Sequence, residues 1–211
     1  MNKLKLWGGL VLVLALAGAG FYGWWSLDLR WRPKTIDRHP AEIAKLLESS
    51  GWVSPGKPGP KLYMVSYRDC SDCIRYEAEE FPKLHKVGVD TRVIVVARPD
   101  LNGVTRSTPA ERATVAELWA NRSWALLQAW TKVPSEGWTA SGIPPADGDM
   151  TRTAIVQLGQ KMVADLTPLV KANSINFAYP LLIWWDEDGV MRGCACEKAE
   201  TYRNVRRELG A

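Results

Sequence analysis

Residues 61–97 read KLYMVSYRDCSDCIRYEAEEFPKLHKVGVDTRVIVVA and contain an uninterrupted strand–helix–strand pattern. The apolar run at 62–67 predicts a first strand, and a helix is predicted over about 71–86, with Pro82 bending or ending it. The β-branched run at 91–97 is typical of a strand buried on both faces. A crossover of this length joins parallel strands, so the stretch predicts a βαβ unit.

The segments that follow predict a helical insertion and then a return to sheet. A capping box at Thr108–Glu111 starts a helix that is expected to run to about residue 132. Apolar residues at helical spacing predict a second helix over 151–172. Because neither helix continues the strand–helix alternation, we interpret residues 100–176 as an insertion. The Asp–Gly turn after the apolar run 181–185 then predicts an antiparallel hairpin, and a final helix is expected over 198–209.

The N-terminal segment predicts a membrane anchor. Residues 6–27 carry no charge, follow two lysines and end near Trp24 and Trp25, and about 20 apolar residues cross a bilayer as a helix. A cleaved signal peptide is the alternative, because Ala15-Leu16-Ala17 resembles a cleavage site. The sequence thus predicts an anchor or signal peptide at 1–27, a linker at 28–39 and a folded domain at 40–211. A short amphipathic helix after Pro40 opens that domain.

Composition excludes one class of partner. The net charge is only +4, and basic and acidic residues alternate along most of the 211-residue chain. We therefore expect no nucleic acid as a partner.

The four cysteines form two close pairs, Cys70/Cys73 and Cys194/Cys196. A bridge between such near neighbours restricts the unfolded chain very little, which favours chemistry over structural stapling. Cys70 follows a strand and Cys73 lies in the first turn of a helix, where unpaired N–H groups and the helix dipole stabilise a thiolate. Zinc binding is an alternative, with the second pair as further ligands.

The combined order of these elements resembles the thioredoxin superfamily, and more narrowly the catalytic domain of the bacterial periplasmic disulfide isomerases DsbC and DsbG. Three stretches carry the resemblance: 61–102, STPAERATVAELWA at 107–120, and INFAYPLLIWWDEDGVMRGCAC at 175–196. The resemblance implies an α/β thioredoxin-like fold with a helical insertion between its βαβ and ββα halves. It also implies a domain in the bacterial periplasm, which the predicted anchor would attach to the inner membrane by a single span.

The resemblance also implies a role for each site residue. Cys70 would be the exposed attacking thiol and Cys73 the more buried resolving thiol. Pro180 would be a cis-proline facing the pair, with Tyr179 beside the client protein. No cofactor is implied. The implied partners are thiols and disulfides of exported proteins and a membrane or periplasmic redox partner.

Three features depart from the family pattern. An anchor replaces the isomerases' dimerisation domain, so we expect a monomer. Tyr179 is bulkier than the usual residue before the cis-proline. Asp69 and Asp72 flank Cys70, and because acidic neighbours disfavour a thiolate, we expect Cys70 to be less acidified than in strong oxidants.

The sequence leaves open the role of the second cysteine pair and whether the protein is catalytic. Side chains two apart on a strand share a face but lie too far apart for an easy bridge, so a Cys194–Cys196 bridge would require a turn. The second pair is either a relay that exchanges with Cys70/Cys73 or a pair without redox function. The predicted function is thiol–disulfide exchange; the rival is a non-catalytic thioredoxin-like module of an envelope complex, with a static Cys70–Cys73 bridge.

Overall fold

The computed structural model describes residues 2–27 and 29–211, and it describes side chains at 14–26 and 29–211. The chain forms two compact units, Met1–Arg32 and Pro33–Ala211. We describe each unit separately.

The first unit is the helix α1, Asn2–Leu27, followed by a 3-10 turn at Leu29–Trp31. Trp31 Nε1 donates a hydrogen bond to the Ser26 carbonyl at 2.8 Å, and the Arg30 guanidinium lies 4.4 Å from the centre of the Trp31 ring. For much of the predicted anchor the structure describes the backbone only: the side chains of residues 6–13 and 27 lie outside the described part. Among the residues that the structure does describe, no helix has both the length and the apolar character to cross a membrane.

The second unit is built on a five-stranded sheet. Its strands are β1 Lys34–Thr35, β2 Lys61–Ser66, β3 Asp90–Val95, β4 Leu181–Trp185 and β5 Met191–Ala195, in the order β1-β5-β4-β2-β3. β2 and β3 are parallel and the other pairs are antiparallel. The parallel pair and the β4–β5 hairpin confirm the βαβ and ββα halves that the sequence predicts.

Helices cover both faces of this sheet. They are α2 Pro40–Ser49, α3 Ser71–Lys86, α4 Pro109–Asn121, α5 Trp124–Lys132, α6 Met150–Ala172 and α7 Tyr202–Glu208. Alternate residues of β2 enter opposite cores, as the two-residue period of a strand requires: Leu62 and Met64 pack with Tyr76 and Trp130, whereas Tyr63 packs with residues of α2 and α6.

The predicted single helix over 109–132 is wrong. Arg122 adopts a left-handed conformation with φ of 51° and ends α4. The Ser123 hydroxyl then accepts the N–H of Leu126 at 3.2 Å and so caps the start of α5. A serine inside an amphipathic pattern is also compatible with a continuous helix, which is why the pattern alone does not reveal the break.

The predicted linker at 28–39 also needs correction. Lys34–Thr35 forms the edge strand β1, paired with Arg192 and Gly193 of β5. Ile36 is 2% exposed and its N–H donates to the Met191 carbonyl at 2.8 Å. A two-residue strand is too short to show any periodicity, so the charges and the single proline of this segment predict a linker.

Candidate active site

The first cysteine pair lies where β2 gives way to α3. The N–H of Cys70 donates to the Tyr67 carbonyl at 3.2 Å, which closes a tight turn after the strand. Cys70 is the N-cap of α3, and its Sγ accepts the N–H of Cys73 at 3.1 Å. This position exposes the sulfur to the unpaired N–H groups and positive dipole of the helix start, which stabilise negative charge on sulfur.

Cys70 and Cys73 form a disulfide, with Cα atoms 5.1 Å apart. Cys70 is 3% exposed and Cys73 is 1% exposed. The expectation of an exposed Cys70 is therefore wrong for this oxidised form. The bridge directs the Cys70 side chain back onto the first turn of α3, where its sulfur also accepts the Cys73 N–H.

The Tyr179–Pro180 peptide bond is cis, as the family resemblance implies. Val65 pairs with Leu181 in the antiparallel ladder. Pro180, just before β4, therefore lies at the end of the sheet where β2 finishes and the chain continues to Cys70. The Tyr67 and Tyr179 rings meet edge to face with centres 5.0 Å apart. The fold thus brings the predicted client-binding residue beside the turn that carries the cysteines.

The second cysteine pair is also bridged, with Cα atoms 5.2 Å apart. Cys194 belongs to β5, whereas Cys196 lies just beyond the end of that strand at Ala195. The bridge is buried, with Cys194 8% exposed and Cys196 fully enclosed. The N–H of Cys196 donates to the Pro180 carbonyl at 2.9 Å, so the second bridge is joined directly to the cis-proline.

Arg75 joins the same segment to the cysteine helix. Its guanidinium donates to the Glu197 carbonyl at 2.6 Å and to the Tyr202 hydroxyl at 3.2 Å, and it pairs with Asp72 at 2.8 Å. The residues after Cys196 are therefore tied to the first turns of α3. The pairing of Asp72 also means that one of the two acidic neighbours of Cys70 has its charge offset by a cation.

Arg68 is buried two residues before Cys70. Its guanidinium donates to the carbonyls of Trp130, at 2.8 Å, and Val133, both at the end of α5. The cysteine turn is thereby attached to the insertion. Burial lowers the pKa of Arg68, and nearby carboxylates, Asp69 first among them, raise it.

Glu77 is a site feature that the sequence analysis missed. It lies one turn beyond Cys73 in α3 and lines a groove of about 540 Å³ between α3 and α5, together with Ile74, Phe81 and Trp124. Burial raises the pKa of Glu77 to about 7, opposed by the positive charge of Arg68. A glutamate on a helix is ordinarily solvent-facing, and the apolar wall of this groove comes from a distant helix, so the sequence offers no signal for it.

Metal binding has no support from side-chain clustering. Within the described part of the chain, no group of three or more His, Cys, Asp or Glu residues is placed to bind a metal ion. Both candidate thiol pairs are bridged in this structure.

The sheet has the strand order β3-β2-β4-β5, with a CxxC bridge at the start of α3 and a cis-proline at the same end of the sheet, and this arrangement is a thioredoxin-like fold. No protein-family model matches the chain, and no curated protein matches it.

Several solved structures are similar in fold. ScsC from Proteus mirabilis in a compact conformation is 12% identical, with a TM-score of 0.49 over 99% of this chain and 94% of that one. A thioredoxin-like oxidoreductase from Silicibacter pomeroyi is 17% identical, with a TM-score of 0.42 over 79% of this chain and 96% of that one. Oxidised BdbD from Bacillus subtilis is 14% identical, with a TM-score of 0.41 over 78% and 95%.

Proposed function

We propose that this chain is a membrane-anchored, extracytoplasmic thiol–disulfide oxidoreductase that acts through Cys70 and Cys73. The observation that carries the proposal is the Cys70–Cys73 bridge at the start of α3, at the sheet edge where the cis bond before Pro180 lies. The N-cap position stabilises a thiolate on Cys70, which makes this sulfur both a nucleophile and a good leaving group.

The backbone of Tyr179 supports a role in binding client peptides. In the described part of the chain, neither the N–H nor the C=O of Tyr179 has a hydrogen-bond partner. Unpaired backbone groups next to a sheet are suited to pair with an extended peptide. An extended client segment would thus lie against Tyr179, close to the cysteine turn.

The exchange proceeds in two balanced steps. A client thiolate attacks the Sγ of Cys70, the Cys70–Cys73 bond breaks, and its electron pair leaves on Cys73 as a thiolate. A second client thiolate then attacks the client sulfur of the mixed disulfide and releases Cys70. The chain gains two electrons and the client gains a disulfide; the reverse sequence reduces a client. A membrane or periplasmic redox partner would restore the starting state.

Comparison of the wild type with Cys70→Ser in an insulin-reduction assay tests the proposal. We expect turnover by the wild type and none by the variant, whereas Cys73→Ser should accumulate a mixed disulfide with insulin because the resolving thiol is missing. Cys194→Ser with Cys196→Ser is the matched control and keeps the first pair intact. Equal rates for the wild type and Cys70→Ser would refute the assignment.

We further propose that residues 1–27 form a single inner-membrane span and that residues 33–211 lie in the periplasm as a monomer. The uncharged run at 6–27, the preceding lysines and Trp24 and Trp25 support this arrangement. Carbonate washing of membranes from expressing bacteria should leave the full-length chain in the pellet, and protease added to spheroplasts should digest the domain. Release of a shortened chain into the periplasmic fraction would instead indicate a cleaved signal peptide.

The burial of Cys70 favours a second candidate function. A disulfide whose outer sulfur belongs to a residue only 3% exposed is compatible with a static bridge in a non-catalytic assembly module. The insulin assay separates the two, since a static bridge predicts no turnover by the wild type. Mass spectrometry of the thiols after incubation with a reduced client would then show the Cys70–Cys73 bridge unchanged.

A further inference from the structure

Two arginines lie beside the aromatic residues that precede Pro180. The rings of Tyr67 and Tyr179 meet edge to face, and Phe177 packs on Tyr179 with ring centres 5.1 Å apart. The guanidinium carbon of Arg98 lies 4.0 Å from the centre of the Tyr67 ring. All of these side chains are partly exposed, so the group forms an accessible rim beside the cysteine turn.

Arg106 belongs to the same rim. It lines the same narrow pocket as Tyr67 and Arg98. Burial raises the pKa of Tyr179 to about 12, and the positive charges of Arg106 and Arg98 both act in the opposite direction. In the described part of the chain, neither guanidinium forms an ion pair or a hydrogen bond with a carboxylate. Partly exposed guanidinium groups without an acidic partner are suited to receive a carboxylate, which they can bind through two parallel N–H donors.

Two of the acidic residues near this rim accept hydrogen bonds from backbone N–H groups. Asp100 accepts the backbone N–H of Arg106 at 3.3 Å, and Glu111 accepts the N–H of Thr108 at 2.6 Å in the capping box of α4. Asp69 is exposed beside Cys70. In the described part of the chain the two arginine side chains form no ion pair with these carboxylates. The charge of Arg98 nevertheless acts on Glu111, where it opposes the rise in pKa that burial causes.

We propose that this rim selects client segments that carry an acidic residue beside the reacting cysteine. The part of this rim that contacts the client, hereafter the arginine–tyrosine surface, consists of Tyr67, Arg98, Arg106 and Tyr179. Its occupant is an extended client peptide: the tyrosine rings contact its chain and the guanidinium groups bind its carboxylate. The inference rests on the proposed function and adds to it a class of client.

Three matched peptides test the inference. Each carries two cysteines, and the residue beside each cysteine is Glu, Gln or Lys. Mixed in the reduced form with the oxidised full-length chain, they give single-turnover rate constants. Because an exposed ion pair changes a rate by a factor of about two to five, two arginines should favour the Glu over the Lys peptide by about tenfold. Salt at about 0.5 M should reduce this ratio.

Variants of the two arginines separate charge from packing. Arg98→Gln with Arg106→Gln should bring the Glu-to-Lys ratio close to one, whereas Arg98→Lys with Arg106→Lys should retain most of it because the charges remain. Lys86→Gln is the control: it removes one exposed positive charge at the opposite end of α3 and should leave the ratio unchanged.

Equal rates for the Glu and Lys peptides with the wild type would overturn the inference, and so would a wild-type ratio in the double Gln variant. The same peptides with serine in place of cysteine report binding alone. Loss of exchange with every peptide would contradict the proposed function, whereas equal Kd values for the Glu and Lys serine peptides would contradict the arginine–tyrosine surface.

Discussion

Glu77→Gln should stabilise the protein at alkaline pH and leave it unchanged at acidic pH. The pKa of Glu77 is raised to about 7 from an ordinary value of 4.5, mainly by burial. The folded chain therefore binds this proton more tightly than the unfolded chain does. As the pH rises from about 4.5 to about 7, the unfolded state gains relative to the folded state, and the free energy of unfolding falls.

The size of the effect follows from the shift in pKa. The difference between about 7 and 4.5 corresponds to ~3 kcal/mol, which we reduce to ~2 kcal/mol because the Glu77 carboxylate faces a groove that opens to solvent. The glutamine variant has no charge to bury, so its stability should lack this component of the pH dependence. At pH near 8 it should exceed the wild type by ~2 kcal/mol, and at pH near 4 the two should be equal.

Urea unfolding of the oxidised full-length chain, followed by tryptophan fluorescence at both pH values, measures this difference. Other groups also titrate in this range, but they are common to the wild type and the variant and cancel when the two are subtracted. Glu79→Gln is the matched control, because Glu79 is exposed on the same helix and should change little at either pH. An identical stability difference for Glu77→Gln at the two pH values, or a loss of stability near pH 8, would refute the reasoning.

Two further predictions concern packing within the folded domain. Gly51→Ala should destabilise the domain by ~2 kcal/mol or more, because the added Cβ would lie 2.5 Å from the Trp119 Cα and the backbone must shift; a midpoint of urea unfolding equal to that of the wild type would contradict it. Glu80→Ala should cost ~2 kcal/mol, because the buried Glu80 carboxylate pairs with Arg206 and so ties α3 to α7. The same measurement tests it, and an unchanged stability in Glu80→Ala would show that this ion pair is not needed.

The parts of the fold that the sequence predicts are those with a local cause. The strands and helix of the βαβ unit follow from apolar periodicity, and the hairpin follows from the turn that ends at Gly189. The cis bond before Pro180 is also confirmed, although its expectation came from the family resemblance. The boundary at Arg122 and the edge strand at Lys34–Thr35 have no comparable signal in the apolar pattern. The Arg122 guanidinium donates to the distant Ser50 carbonyl at 3.0 Å, and Lys34–Thr35 pairs with Arg192 and Gly193.

The same distinction explains why the sequence predicts the cysteine positions but not their environment. The placement of Cys70 and Cys73 at a strand–helix junction is local. The contacts around the cysteine turn, by contrast, include the packing of Tyr67 against Tyr179 and the hydrogen bond from Arg68 to α5. These contacts join segments that lie far apart in sequence, so no spacing rule anticipates them.

The burial of Cys70 has a consequence for exchange. With Cys70 only 3% exposed, we expect a client thiolate to reach its sulfur only after the surrounding segments separate. The Pro180 side is held in place, because the Pro180 carbonyl accepts the N–H of Cys196 in the second, buried bridge. The turn before Cys70 is fixed to the end of α5 through Arg68. A client that binds the rings of Tyr67 and Tyr179 from outside would act on a side-chain contact between these two sides. We therefore expect client binding and access to Cys70 to be coupled: a client that binds better when Tyr67 and Tyr179 are apart would favour the conformation in which the disulfide is accessible.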